Sequence, residues 1–287
     1  MTNDAATTNR DTWNIWAAAH GQDDYYDSAA LAAGADSLTD VERAGLAAAV
    51  GDEVDGLRVL HVQCHLGFDA ISLARRGARV TGVDFSPVAL RKARDLARRC
   101  DVDVEFVEAD VTDLPSRLTG RFDLAYATIG VLCWIADIDA WMRSVAAALK
   151  PGGRLLLVDG HPLFQMTESI DPLVLDFPYA YDGPHEFTAT GSYAAATQTT
   201  TTVQFAHSLG EIVTAAATAG LHVIRLDEHL DAPLDLGRGI PPDADGRYRF
   251  RLNGRNLPLL YTLIAERPAT VPPSPPAPTK RLGASDT

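Results

Sequence analysis

The sequence predicts an α/β protein with a doubly wound sheet. Three observations carry that expectation. The stretch Leu57–Pro87 reads as strand, tight turn, helix and second strand; strand-length and helical apolar runs keep alternating after it; and an aspartate closes the second and the third strand. Arg58–Gln63 is a short apolar run on Val59, Leu60 and Val62, the pattern of a strand buried on both faces. Cys64–Gly67 is the turn, and Phe68–Arg76 carries Phe68, Ile71, Leu73 and Ala74 at helical spacing before Gly77 ends it. Ala78–Val83 is the second strand, with Asp84 at its carboxyl end. Ligands of doubly wound sheets bind outside the carboxyl ends of the strands, so Asp84 is placed to accept two hydrogen bonds from a ribose diol. A pyrophosphate needs several glycines to bring backbone amides close, and this turn has only Gly67. A nucleoside ligand without that phosphate fits better.

The remaining elements follow in order. Met1–Arg10 is small and polar and is expected to be disordered. Asp11–Ala33 reads as one helix or a pair, with Trp13, Trp16, Ala17, Tyr25 and Tyr26 on it. Thr39–Glu42 has the form of a capping box that opens a helix to about Val50. Pro87 sits early in a helix over Val88–Arg99, and Val102–Val107 is the third strand, followed by Asp110. Phe122–Ala127 is the fourth strand, Ile138–Leu149 a helix, Lys150–Gly153 a turn and Arg154–Val158 the fifth strand. From His161 to Phe205 the helical period disappears, and Thr199–Phe205 has strand composition. This stretch leaves the carboxyl end of a strand, so it begins on the ligand side and is expected to form a cap. Ser208–Ala219 is a helix, and Leu221–Leu226 and Leu257–Ala265 are the sixth and seventh strands. The proline-rich tail at 268–287 is expected to be disordered.

The segment LHVQCHLG resembles the LDLGCGTG-type first motif of class I S-adenosylmethionine-dependent methyltransferases. It is most similar to a bacterial small-molecule subgroup that reads L-H-x-Q-C-H-x-G-x-D, followed by G-x-D-F-S-P. His61 stands where the broad family has an acidic residue, and Gln63 and His65 where it has glycines. Gly120–Asp123 resembles the family's fourth motif, and K-P-G-G follows at the family's interval.

The resemblance covers roughly residues 37–266. It implies a seven-stranded, Rossmann-like methyltransferase sheet closed by a hairpin of the sixth and seventh strands, the seventh antiparallel. A cap at about 161–206 would follow the fifth strand, and an N-terminal segment, 1–36, would pack over the cofactor. It further implies S-adenosylmethionine as cofactor and S-adenosylhomocysteine as product. Gln63, Cys64, His65, Gly67 and Asp69 of the first motif would lie beside the cofactor, with Asp84 and Phe85 at the ribose. Asp110 would accept from the adenine amino group, the Val111 amide would read a ring nitrogen, and Thr128 would adjoin the methionine part. Tyr26 would close over the site, where an aromatic face favours a sulfonium.

Methyl transfer needs an aligned acceptor, and a general base only where the acceptor must lose a proton. His161, His207, Glu228 and His229 are the candidates, each with the plainer alternative of a structural hydrogen bond. The histidines lack the spacing of a zinc motif, and no metal is expected. A net charge of −13 speaks against a nucleic-acid partner and for a small acceptor, methylated on nitrogen or oxygen before carbon or sulfur. Three scattered cysteines, no signal pattern and no membrane-length apolar run predict a soluble cytoplasmic monomer or homodimer. Two other readings stay open. A nicotinamide-dependent oxidoreductase is disfavoured by the single-glycine turn, and a catalytically silent cofactor-binding protein is kept in view by Gln63 and His65.

Overall fold

The computed structural model describes residues 2–21, 25–51, 53–237 and 239–269, with the side chains of Thr2 and Asn3 left aside. The chain runs through α1 (Thr2–Ala19), α2 (Ser28–Ala32), α3 (Asp40–Val50), β1 (Arg58–Val62), α4 (Phe68–Arg75), β2 (Arg79–Asp84), α5 (Pro87–Arg99), β3 (Val104–Glu108) and β4 (Phe122–Thr128). It continues through α6 (Ile138–Ala148), β5 (Leu149–Gly160), α7 (Pro162–Gln165), β6 (Thr167–Ile170), β7 (Leu173–Leu175), β8 (His185–Thr190) and β9 (Thr199–Gln204). Last come α8 (Leu209–Thr218), β10 (His222–His229), β11 (Phe250–Leu252), β12 (Arg255–Leu257) and β13 (Leu260–Glu266). Seven strands form one sheet in the order β10-β13-β5-β4-β1-β2-β3. β13 runs antiparallel to both neighbours, and β1 to β5 pair in parallel.

β1, β2, β4, β5 and β13 bury both faces, which is why they read as near-continuous apolar runs. Along β4, Leu124 and Tyr126 join the core under α3, α4 and α5, while Ala125 and Ala127 join the core under α6 and α8. β5 repeats this with Leu156 and Val158 on one face and Leu155 and Leu157 on the other. The capping box of α3 forms as the sequence requires: Thr39 Oγ1 accepts from the Glu42 amide, and the Glu42 carboxylate accepts from the Thr39 amide.

Several expectations need correction. Thr2–Arg10, expected to be disordered, are the first turns of α1. Their partner is 194 residues away: Asn9 Nδ2 donates to Val203 O at 2.7 Å, and Val203 N donates back to Asn9 Oδ1 at 2.8 Å. Thr12 Oγ1 adds a bond to Thr201 O. The side-chain amide of Asn9 thus serves β9 as a further strand would, a pairing no local pattern reveals. The K-P-G-G turn is drawn into β5, which starts at Leu149 by pairing with Phe122 and then shifts register. The sixth and seventh strands are not joined by a short hairpin. Between β10 and β13 lies a second insertion with its own hairpin, β11–β12, and a small core of Phe164, Ala232, Phe250, Leu259 and Leu260. Arg247 bonds Asp231 in this insertion and Asp40 at the start of α3. The expected cap holds two antiparallel pairs, β6–β7 and β8–β9. The tail expectation falls on 270–287, outside the described residues.

Asn9→Ala leaves the Val203 amide and carbonyl buried without partners, at a cost of about 1–3 kcal/mol. Urea unfolding should register that loss, and limited proteolysis should cut α1 first.

Candidate functional site

The turn after β1 has an unusual backbone. Gln63, His65 and Gly67 all lie in the left-handed region, at φ +56°, +47° and +75°. These alternate positions are where the resembling family carries glycines. A non-glycine residue held there pays roughly 1–2 kcal/mol, and the two side chains make compensating bonds. Gln63 Nε2 donates to Val131 O and Gln63 Oε1 accepts from Trp141 Nε1, both at 3.0 Å. His65 Nε2 lies 3.0 Å from His20 Nδ1. Gly67 must stay a glycine, since a Cβ there would sit 2.8 Å from the Phe106 ring. Cys64, between them, is buried and bonds Val83 O through its amide; burial pushes its thiol well up, so it is a neutral wall group.

That turn meets the tip of β2. Asp84 is 6% exposed, and its carboxylate spans two backbone amides: Oδ2 accepts from His65 N and Oδ1 from Ser86 N, each at 2.9 Å. Burial pushes its carboxyl up to about 6 against those two bonds. Ser86 caps α5 and donates its hydroxyl to Asn14 Oδ1, which brings α1 down beside the carboxylate.

A cleft of about 330 Å³ opens next to this point, lined by Gln63, Phe85, Asp110, Val111, Trp134 and Ile135, with Asn9 of α1 and Phe205 of the cap. Asp110 Oδ1 accepts from the amide and hydroxyl of Thr112, the turn-capping role that competed with a ligand role. Among the described residues its Oδ2 takes no bond.

On the other side of the turn, Tyr26 lies against Phe68 and His65 and shares a 2.7 Å hydroxyl contact with Tyr193 of the cap. Asp69 accepts from Ser37 Oγ at 2.6 Å and from Thr128 Oγ1 at 3.1 Å, so it fixes the end of β4.

The four acid–base candidates do not converge. His161 and Glu228 meet at 2.9 Å, but His161 Nδ1 also accepts from the Leu163 amide as the cap of α7. Its Nε2 therefore carries the proton facing Glu228, and neither ring nitrogen has a spare lone pair. His229 contacts Thr262 Oγ1, on the opposite face of β10 from Glu228. His207 Nε2 donates to Ile135 O at 2.7 Å, which leaves Nδ1 a bare acceptor with no protein partner. Burial lowers the affinity of His207 for a second proton and keeps the ring neutral. Among the described residues no three His, Cys, Asp or Glu side chains group to hold a metal ion.

Sequence reasoning missed the groups that assemble only in space. Trp13 contacts Trp16, His65, Trp134 and Tyr193 at ring separations of 5.2, 5.0, 5.3 and 6.4 Å, and His20 joins the same cluster. Asp159, at the end of β5, accepts from the amides of Gly130 and Leu132 and so folds the loop after β4 over the sheet. The only signal in the sequence was the aromatic stripe of α1.

Residues 59–153 match the family model of a methyltransferase domain. Over 105 residues the chain is 38% identical to a ubiquinone biosynthesis O-methyltransferase of Xanthomonas oryzae pv. oryzae, a match covering 37% of this chain and 44% of that one. The chain thus spans less than half the length of the curated relatives it matches. An S-adenosylmethionine-dependent methyltransferase from Mesorhizobium loti shares the fold with a TM-score of 0.53 at 23% identity, over 75% of this chain and 93% of that one. One from Methanosarcina mazei does so with a TM-score of 0.54 at 19% identity, over 82% and 100%. Residues 59–153 thus match a methyltransferase domain, and the sheet built around them has the fold of S-adenosylmethionine-dependent methyltransferases.

Proposed function

We propose that the protein moves a methyl group from S-adenosylmethionine to an oxygen or nitrogen of a small, enclosed acceptor. The observation that carries this reading is Asp84, a buried carboxylate at the tip of β2 beside a cleft of about 330 Å³. Its oxygens keep one lone pair each beyond the amide bonds, enough for a ribose diol. Phe85, Val111 and the unused Oδ2 of Asp110 suit an adenine, flat and edged with an amino group. The side chains of Gln63 and His65 crowd the turn where a pyrophosphate would need bare backbone, which supports the sulfonium cofactor over a dinucleotide. Tyr26, Cys64, Gly67, Asp69 and Thr128 form the wall at its amino-acid end.

Bound S-adenosylmethionine supplies a methyl carbon on a sulfonium that is already a good leaving group. The chain adds alignment and exclusion of water. Segment 1–36 and the insertion at about 161–206 act together as the roof, joined by the Asn9–Val203 and Thr12–Thr201 bonds. A hydroxyl acceptor must also lose a proton. His207 is assigned that role because its tautomer leaves a lone pair open, while His161, Glu228 and His229 hold structural bonds. The name of the Xanthomonas relative favours oxygen as the accepting atom. Reduced Cys64, Cys100 and Cys133 suit a cytoplasmic site, and among the described residues no helix is long and apolar enough to cross a membrane.

Asp84→Ala should weaken S-adenosylhomocysteine binding by about 1–3 kcal/mol in calorimetry; unchanged affinity removes the ribose assignment. The diol donates to the ionised carboxylate, so affinity should hold near pH 7 and fall as the pH drops through about 6, by up to roughly tenfold per unit. Titrations across that range, with and without Asp84→Asn, check this. With an acceptor in hand, His207→Ala should cut turnover by roughly 10²–10⁴-fold with cofactor affinity intact. His161→Ala should keep most of its activity, and the reverse ranking would transfer the base role to His161.

A further inference from the structure

β10 is the outer strand of the seven-stranded sheet and pairs only with β13. Edge strands usually carry protection against pairing with another chain: a proline, a bulge or a row of charges. The β10 sequence HVIRLDEH has no proline, and its one register shift lies between Val223 and Arg225. From Arg225 to His229 the ladder on β13 runs without a break. The His229 carbonyl faces inward, where it accepts from the Leu259 amide. Peptide groups alternate along an antiparallel strand, so those of Arg225 and Asp227 also face β13, and those of Leu226 and Glu228 face outward. Among the described residues no backbone group bonds them there.

The side chains along this edge are apolar enough to need a partner. Ile224 and Leu230 are each 50% exposed, and Leu226 is 40% exposed. On the other face of the strand Arg225 and Asp227 form an ion pair through Nε, which leaves the two terminal nitrogens of the guanidinium unbonded among the described residues. Their spacing is self-complementary. When a second copy lies antiparallel on the edge with Leu226 against Leu226, Arg225 stands opposite the partner's Asp227, and Asp227 opposite the partner's Arg225. Opposite charges facing across strands stabilise a pairing, and like charges weaken it. The pleat permits slips by two residues only. One such slip sets Arg225 against Arg225, the other Asp227 against Asp227. Glu228, the remaining charge here, is turned to His161. We infer that the chain forms a two-fold dimer through β10, with Leu226 at the axis and Arg225 and Asp227 paired between copies. Two seven-stranded sheets then join edge to edge, and their clefts open toward opposite ends.

The test is the mass of the full chain in solution, without ligand. Sedimentation equilibrium across about 1–100 μM should show twice the mass of one chain. Arg225→Asp and Asp227→Arg should each weaken the dimer roughly tenfold or more, and the double reversal should restore it to within about threefold. The two single changes shift the net charge in opposite directions, so a loss in both reports the pairing and not overall repulsion. Both side chains are exposed, at 54% and 37%, so the fold tolerates the exchange. A chain that stays monomeric, its edge left to solvent, to its own residues beyond 269 or to a different protein, overturns the inference. So does a dimer that ignores the single changes, or one that the double reversal fails to restore.

Discussion

The alternation of left-handed residues at 63, 65 and 67 is the constraint on which the site depends. It turns the chain sharply enough after β1 for the His65 amide to reach the carboxylate of Asp84, and so locks the first turn to the tip of the second strand. In the LDLGCGTG-type motif that this turn resembles, glycine makes such a backbone inexpensive. Here two positions carry side chains, and those side chains tie the turn outward: Gln63 to the loop after β4 and to α6, His65 to the end of α1. A turn that would otherwise be held only by its own backbone is braced from both sides.

Two buried aspartates repeat one electrostatic solution at the ends of β2 and β5. Asp84 and Asp159 are each almost wholly buried, each is met by backbone amides rather than by a cation, and burial raises the carboxyl of both. Asp159 spends its acceptors on Gly130, Leu132 and Gly160, and its work is to hold a loop. Asp84, at the tip of β2, accepts from the amides of His65 and Ser86 and so holds the first turn to the start of α5.

Much of this was legible in the sequence. The order of strands and helices followed from apolar periodicity, as did the positions of Asp84 at the end of β2 and Asp110 after β3, and the cap of α3 followed from Thr39 with Glu42 three residues on. What escaped depended on distant partners. Thr2–Arg10 looked like a polar leader because the strand that engages Asn9 lies in the cap. His161, His207 and His229 looked alike as residues near strand ends; only their bonds to Leu163, Ile135 and Thr262 separate them. The insertion between β10 and β13 did leave one sign, a stretch of some thirty residues too long for a hairpin. Its charged residues hid a small core and the clamp of Arg247 on Asp40.

The pairing of α1 with β9 also bears on how the chain is made. Ribosomes deliver the amino terminus first, at about 5–20 residues per second, so Asn9 waits roughly 10–40 s before Val203 emerges. Through that interval Trp13 and Trp16 have no cap to cover them, while β1 to β5 can already assemble. α1 is therefore among the last elements to settle, and a nascent chain stalled before β8 would leave its tryptophans without Tyr193.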